Sequence, residues 1–253
     1  MTFVDIHSHM DFKDFDEDRI SILNEMKEKR IITLTNTLNP KNYEETKILF
    51  KNYKNIVKVC PGLYPQDAEK ITDKDFEDYL KQIKKEDPIA IGEVGLDKKW
   101  TENENLFQIQ TRRFEKLIEL AIELDKAIII HTRKAEKEVL DIIRKYKEKY
   151  PKYCKYVLHC FVGKKKLIKE IKELKLYCSV PMLVLNTQSF RILVEELAIT
   201  QLLVETDSPF LNPEKTRNSP LNVPKIYSEI AQIKGYDSKE IENIIYRNYM
   251  RLI

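Results

Sequence analysis

The amino-acid sequence predicts a (β/α)8 barrel formed by one domain over residues 1–253. Short apolar strands alternate with amphipathic helices along the whole chain, and eight such units fit into 253 residues. Barrels of this architecture commonly have about 250 residues. The third observation is that ionisable residues directly follow several of the predicted strands at their carboxyl ends.

Eight segments have the composition of buried strands. Residues 127–130 are apolar throughout, as expected for a strand of a parallel sheet with both faces covered. The predicted strands are 2–9, 31–36, 56–62, 89–95, 127–132, 156–161, 176–180 and 202–207.

Each predicted strand is followed by a helical pattern. In the fourth helix, apolar residues recur from Phe114 to Ile122 at the spacing of a helix that covers a sheet. The predicted helices are about 16–30, 41–53, 73–86, 104–125, 134–150, 164–174, 188–197 and 223–234, with a last one at about 238–249. Residues 208–222 contain three prolines and are predicted to form a long loop at the barrel mouth.

Composition excludes several classes of protein. Apolar residues make up 42% of the chain, which supports a sizeable core, and the net charge of +3 is too small to indicate a dedicated nucleic-acid-binding protein. Neither a signal peptide nor an apolar run of membrane-spanning length is present, so we expect a cytoplasmic protein that does not interact with a membrane. The four cysteines lack Cys-x-x-Cys spacing and are interpreted as ordinary packing residues. Cys160 follows His159 on a predicted strand, so strand alternation predicts that its side chain points to the opposite face from His159.

Six ionisable residues stand at the carboxyl ends of predicted strands 1, 4, 5, 6 and 8. A closed barrel brings these ends around one mouth, whereas the competing doubly wound open sheet would spread them along a row. Burying so many polar groups together without a cation would require many compensating hydrogen bonds. We therefore interpret them as one metal site, with the ligands His7, His9, Glu93, His131, His159 and Asp207.

The types of ligand predict the chemistry of the site. His7 and His9 are two residues apart on a strand, so they share a face and can hold one cation. Glu93 can bridge to a second cation held by His131 and His159. Mixed imidazole and carboxylate ligands suit Mg²⁺, Mn²⁺ or Zn²⁺, and two such cations suit phosphoester hydrolysis.

Further residues are assigned roles around this centre. Asp207 is predicted to ligate the first cation and to take the proton from an attacking water, and Glu205 to orient a ligand or that water. Arg133 is a candidate phosphate ligand, and Lys164 begins a basic run that could attract a nucleic-acid backbone. Tyr64 and Trp100 are candidates for stacking on a base.

At this level of detail the chain resembles the TatD family of metal-dependent deoxyribonucleases. Five segments look like the family's successive signatures, in family order over almost the entire chain: Asp5–His9, Gly92–Asp97, His131–Arg133, Leu158–Phe161 and Glu205–Pro209. The resemblance implies a barrel with one to three divalent metals that hydrolyses phosphodiesters, often as a 3′-to-5′ exonuclease. It also implies a nucleic acid as substrate, DNA in preference to RNA.

Two segments depart from the family pattern. Gly62–Gln66 reads Gly-Leu-Tyr-Pro-Gln where the family commonly has Gly-x-His-Pro-His, so Tyr64 and Gln66 bear on DNA preference and on any third metal. Lys98 and Lys99 replace the usual aromatic residues, with Trp100 beyond them.

Three functions are consistent with these residues. The first is a two-metal phosphodiesterase that acts on DNA. The second keeps the metal ligands but hydrolyses another bond, in a lactone, an amide or an ester such as aminoacyl-tRNA. The third is a non-catalytic metal-binding protein, which the simultaneous presence of a candidate base and all the ligands disfavours. No sequence pattern indicates an oligomeric state.

Overall fold

Eight parallel strands form the wall of a (β/α)8 barrel in the computed structural model, which describes residues 2–101 and 103–253. All eight strands were predicted from the sequence. They are β1 (Phe3–Ser8), β2 (Ile31–Asn36), β3 (Val57–Cys60), β4 (Ala90–Asp97), β5 (Ala127–Arg133), β6 (Tyr156–Leu158), β7 (Tyr177–Val180) and β8 (Leu202–Val204).

The strands pair in sequence order, and the ring closes through two single bridges. Strands β1 to β3 form one continuous sheet and β4 to β8 form another, and all the strand pairs are parallel. Leu63 bridges to Val94 between the end of β3 and β4, and Ser8 bridges to Ser208 between β1 and the segment after β8. Strand order therefore brings the carboxyl ends of β1 and β8 together and places that of β4 on the far side of the mouth.

Helices cover the outside of the wall. They are α1 (Arg19–Glu28), α2 (Pro40–Leu49), α3 (Pro65–Lys70), α4 (Asp73–Glu86), α5 (Glu104–Glu123), α6 (Glu136–Lys149), α7 (Lys165–Glu173), α8 (Gln188–Glu196), α9 (Val223–Lys234) and α10 (Ser238–Leu252). The short helix α3 was not predicted, because six residues are too few to show a helical period.

Local capping and apolar faces explain why these helices form where they do. The Thr72 and Asn103 side chains accept backbone N–H bonds at the starts of α4 and α5, and Asp237 forms a capping box at α10. On α5, Phe114 and Ile118 are fully buried against the sheet, as the apolar stripe predicts. Among the described residues, no helix is both long and apolar enough to cross a membrane.

Strands β6 and β8 are shorter than predicted, and this corrects one argument from the sequence. His159 and Cys160 lie beyond the end of β6, and Cys160 has a φ of 44°. Strand alternation therefore does not decide where Cys160 points, contrary to our prediction. Glu205 and Asp207 likewise lie in the segment after β8, with Asp207 at a φ of 52°. In both places polar residues follow an apolar strand, and the extended backbone ends at that change.

Two glycines allow the close backbone approach that positions the mouth. A Cβ atom on Gly62 would lie 1.9 Å from the Thr37 carbonyl oxygen and 2.4 Å from the Glu93 nitrogen. A Cβ atom on Gly95 would lie 2.0 Å from the His131 carbonyl oxygen. These backbones meet only because glycine has no side chain. The contacts hold the segment after β3 against Glu93 and hold β4 against His131 of β5.

Candidate metal centre

The barrel mouth brings all six predicted ligands together. His7 comes from β1 and His9 directly follows it, Glu93 comes from β4 and His131 from β5, while His159 and Asp207 follow β6 and β8. Potential ligand atoms meet within 4.8 Å of one another in three overlapping groups: His7, His9 and Asp207; Glu93, His131 and His159; and His7, His159 and Glu205.

The first group has the spacing of a coordination shell. The Nε2 atoms of His7 and His9 are 3.3 Å apart. Asp207 Oδ1 lies 3.5 Å from the first and 3.4 Å from the second. Glu93 Oε2 lies 3.5 Å and 3.6 Å from the same two atoms. Ligand atoms about 2.1 Å from a common ion, at angles of 90–120°, are roughly 3.0–3.6 Å apart, so the spacing fits one cation.

Glu93 also faces the second group, with its other oxygen. Glu93 Oε1 lies 2.7 Å from His131 Nδ1 and 3.6 Å from His159 Nε2. The short approach to His131 lacks the alignment of a hydrogen bond, since Nδ1 is a buried atom without a hydrogen-bond partner among the residues that the structure describes. A nitrogen and an oxygen that face each other in this way are typical of two ligands of one ion. Glu93 is therefore placed to bridge two sites.

Hydrogen bonds on the far side of the rings orient three of the histidines. His9 Nδ1 lies 2.9 Å from the Asn36 carbonyl oxygen, and His159 Nδ1 lies 2.9 Å from Glu205 Oε2. His131 Nε2 lies 3.3 Å from Asp97 Oδ2. Since each acceptor takes a ring N–H, the opposite nitrogen turns its lone pair toward the centre, which is the arrangement found around metal-binding histidines. The residues present thus fit divalent cations.

The electrostatics of the cluster also favour cations. Burial raises the pKa of Glu93, but the close approach of the His131 and His7 rings outweighs it and holds that pKa well below its ordinary value. Burial likewise opposes ionisation of Asp207, and its contacts with the histidines lower its pKa. Burial lowers the pKa of His159, yet attraction by Glu205 prevails and raises it to about 10. Without a metal, protons on His9, His131 and His159, whose pKa values are raised, balance the carboxylates, and a bound cation would displace them.

A buried carboxyl group anchors the segment that carries Asp207. Asp5 is fully buried on β1, and its two oxygens accept bonds from the Thr206 backbone N–H (2.9 Å) and the Thr206 hydroxyl (2.6 Å). The Asp207 N–H donates to the His7 carbonyl oxygen at 2.9 Å. Asp207 itself has the left-handed backbone that aspartate and asparagine tolerate better than most residues. These bonds hold the segment after β8 against β1, so Asp207 stays beside His7 and His9.

Asp97 is a residue of this site to which the sequence analysis gave no role. It is fully buried, it faces His131, and its Oδ1 accepts the Lys99 N–H at 2.7 Å. Gln110 of α5 holds the start of the next loop by accepting the Asp97 N–H at 3.0 Å. Strand periodicity could have indicated Asp97 from the sequence, because Glu93, Gly95 and Asp97 are every second residue of β4 and therefore lie on one face of the strand.

The other predicted residues lie at different distances from the centre. Glu205 is fully buried, bonded to His159 and to the Ser179 hydroxyl at 2.5 Å. The Tyr64 ring is 5.1 Å from the His131 ring in an edge-on arrangement. Arg133 is exposed two residues beyond His131. Lys164 is exposed at the start of α7, and within the described ranges it makes no hydrogen bond or ion pair with the ligands.

Comparison with known proteins agrees with this geometry. The chain is 33% identical over 249 residues to an uncharacterized metal-dependent hydrolase of Methanocaldococcus jannaschii, covering 97% of this chain and 94% of the relative. It is 28% identical over 261 residues to the human protein named Deoxyribonuclease TATDN3, covering 98% and 93%.

A solved structure shares the fold. The crystal structure of YJJV, a TatD homolog from Escherichia coli K12, superposes with a TM-score of 0.87 at 23% identity, covering 99% of this chain and 97% of that one. Residues 4–253 match the family described as TatD related DNase. The order of the metal-binding motifs, the barrel and this match lead to one conclusion: the chain belongs to the TatD-related DNase family.

Proposed function

We propose that this protein is a divalent-metal-dependent phosphodiester hydrolase that degrades DNA from the 3′ end. The observation that supports it most is the position of Glu93, whose two oxygens face two separate groups of ligands. Two adjacent cations are a recurrent arrangement for displacement at phosphorus. The deoxyribonuclease name of the human relative and the hydrolase names of the microbial relatives support the same class of reaction.

The ligands divide into two sets that share Glu93. His7, His9 and Asp207 would hold one cation, and His131 and His159 the other. Mg²⁺, Mn²⁺ or Zn²⁺ bound there supplies charge that acidifies water and stabilises the attacking and leaving oxygens of a phosphodiester.

Asp207 is the proposed general base. Its side chain is 13% exposed at the mouth, so water and substrate can reach it, and its contacts with histidines keep it ionised. In hydrolysis it accepts the proton of the attacking water while the water oxygen bonds to phosphorus. The bond from phosphorus to the leaving oxygen then breaks, and that oxygen takes a proton from solvent to become the alcohol.

Arg133, Tyr64 and Lys164 are proposed to contact the substrate. Arg133 is exposed two residues after His131 in the sequence, and its guanidinium group is suited to bind two phosphate oxygens. Tyr64, whose ring lies edge-on 5.1 Å from the His131 ring, would stack on a base beside the centre. Lys164 contributes positive charge further out, where it can attract a nucleic-acid backbone without direct contact at the centre.

Incubation of the purified protein with single-stranded DNA labelled at its 5′ end tests the proposal. We expect a ladder that shortens from the 3′ end with Mg²⁺ or Mn²⁺ and no cleavage with EDTA, and slower cleavage of RNA of the same sequence. Absence of cleavage with every metal would reject the nuclease function, and lactones, amides and aminoacyl esters would be assayed next.

Glu205 is proposed to act through His159, as an orienting residue. Glu205→Gln keeps a hydrogen-bond acceptor for His159 but removes the charge. We expect the affinity for Mn²⁺ to fall about 10- to 100-fold, the usual effect of changing a group that orients a metal-binding histidine. Titration calorimetry measures this affinity directly. Glu173→Gln, on the exposed face of α7, is the matched control, and equal affinities in the two variants would contradict the role.

A further inference from the structure

A pocket of about 380 Å³ opens between α2 and the starts of β3 and β4, at the end of the barrel away from the metal centre. Its volume lies in the range of small-molecule sites, roughly 300–1,000 Å³. Ile89, at its edge, precedes Glu93 by four residues, which corresponds to about 13 Å at the rise of a strand. A ligand in the pocket is therefore separate from a substrate at the mouth. The apolar side chains that line the pocket include Phe50, Val57, Val59, Pro88 and Ile89.

The pocket exists because β3 and β4 part toward their amino-terminal ends. Among the described residues, the only bridge between these two strands is the one from Leu63 to Val94, close to the mouth. Further down, the Gly92 N–H still donates to the Pro61 carbonyl oxygen at 2.8 Å. Pro88 comes next along this edge, and proline has no N–H with which to continue the pairing. The gap that remains between the strand edges forms part of the pocket wall.

The polar side chains of the pocket are mainly positive. Lys47 is paired with Glu86 at 2.7 Å. In the part of the chain that the structure describes, the exposed Lys51 and Lys54 form no ion pair. The Lys58 ammonium group donates to the Lys54 carbonyl oxygen at 2.6 Å, so it also lacks a carboxylate partner there. The pocket thus combines an apolar floor with positive charge that the nearby carboxylates leave unbalanced.

We propose that this pocket binds a small amphipathic anion, with an apolar body of acyl or aryl type and one carboxylate or phosphate head group. The apolar body lies on the floor, where its surface is removed from water. The head group lies between Lys51 and Lys54, whose flexible ammonium groups suit a small anion. The volume of the pocket indicates a small molecule, and the uncompensated lysines indicate its charge. This site is independent of the proposed phosphodiesterase function.

Calorimetric titration of the full chain with octanoate tests the proposal. The protein is first treated with EDTA, so that the carboxylate does not bind a cation at the mouth. We expect one octanoate per chain, and decanoate should bind up to about 15-fold more tightly, since each buried methylene contributes about fourfold. Octanamide has the same chain without the charge, and it should bind about 2- to 30-fold more weakly, the combined effect of two exposed ion pairs.

Metal and head-group controls define the outcome of this titration. The affinity for octanoate should be the same after Mn²⁺ is restored, because the pocket and the metal centre lie at opposite ends of the barrel. A requirement for Mn²⁺ would place octanoate at the mouth and overturn the proposal. Equal affinities for octanoate and octanamide, or no saturable binding at millimolar concentrations, would overturn it as well.

Substitutions test where the anion binds. Lys54→Glu is expected to weaken octanoate binding about fivefold or more, because it replaces an attractive charge with a repulsive one, and Lys54→Arg should retain the affinity. Val59→Phe fills the floor and should abolish binding. Lys239→Glu, exposed at the start of α10, is the matched control. Lys54 is exposed, so its variants test the site even if Val59→Phe fails to fold. Unchanged affinity in Lys54→Glu would refute the assignment.

A different occupant is distinguished in the same assay. A pentapeptide with a central leucine flanked by glutamates represents an acidic segment of a partner protein. If the peptide binds in a manner sensitive to Lys54→Glu while octanoate does not bind, the pocket is a protein-docking site and the small-anion assignment is wrong. DNA cleavage is measured separately: its absence would reject the nuclease function and leave the octanoate result standing.

Discussion

Asp207→Asn is expected to lower kcat for DNA hydrolysis about 10²- to 10⁴-fold, the range that a general base contributes. Asparagine has nearly the same shape as aspartate but cannot accept the proton of water. The substitution also suits the backbone, because asparagine is among the residues that adopt the left-handed conformation found at position 207. Initial rates on end-labelled single-stranded DNA with Mg²⁺ measure the effect.

The matched control for this variant is Asp141→Asn, on the exposed face of α6. Asp141→Asn is expected to retain full activity. If Asp207→Asn prepared in the same way is inactive, the activity does not come from a contaminating nuclease. Thermal unfolding of both variants confirms that the fold is intact. Activity of Asp207→Asn within a factor of a few of the wild type would remove Asp207 from the mechanism.

Metal binding is expected to stabilise the folded protein strongly. An ion at 100 times its Kd contributes about 2.7 kcal/mol to the free energy of unfolding. For a chain of this size, that corresponds to a rise in Tm of roughly 5–11 °C. The physical reason is that the ligands, Glu93 and Asp207 among them, come together only in the folded chain, so the ion binds the native state in preference to the unfolded one. Calorimetric scans of EDTA-treated protein with and without Mn²⁺ measure the shift.

Glu93→Gln should remove most of this stabilisation, because one residue serves both groups of ligands. Glu77→Gln, on an exposed face of α4, should leave the Mn²⁺-induced shift unchanged. A full shift in Glu93→Gln would show that Glu93 does not bridge the two sites. No shift in the wild-type protein would argue against a resident metal.

The barrel could be predicted from the sequence because each of its signals is local. An apolar run such as residues 127–130 identifies a buried strand, and the apolar stripe from Phe114 to Ile122 identifies a covering helix. The ends of β6 and β8 were placed too late. Both strands end where apolar residues give way to polar ones, whereas the prediction continued each strand through the polar residues that serve the site.

Which six residues gather at the mouth could be predicted from the sequence, because each stands at the carboxyl end of a predicted strand and a closed barrel brings those ends to one rim. The tertiary structure sets how they divide, with Glu93 Oε2 toward His7 and His9 and Oε1 toward His131. It also sets the contact between Asp97 and His131. Such contacts depend on ring orientation and loop path, and these are set by hydrogen bonds between residues far apart in the chain.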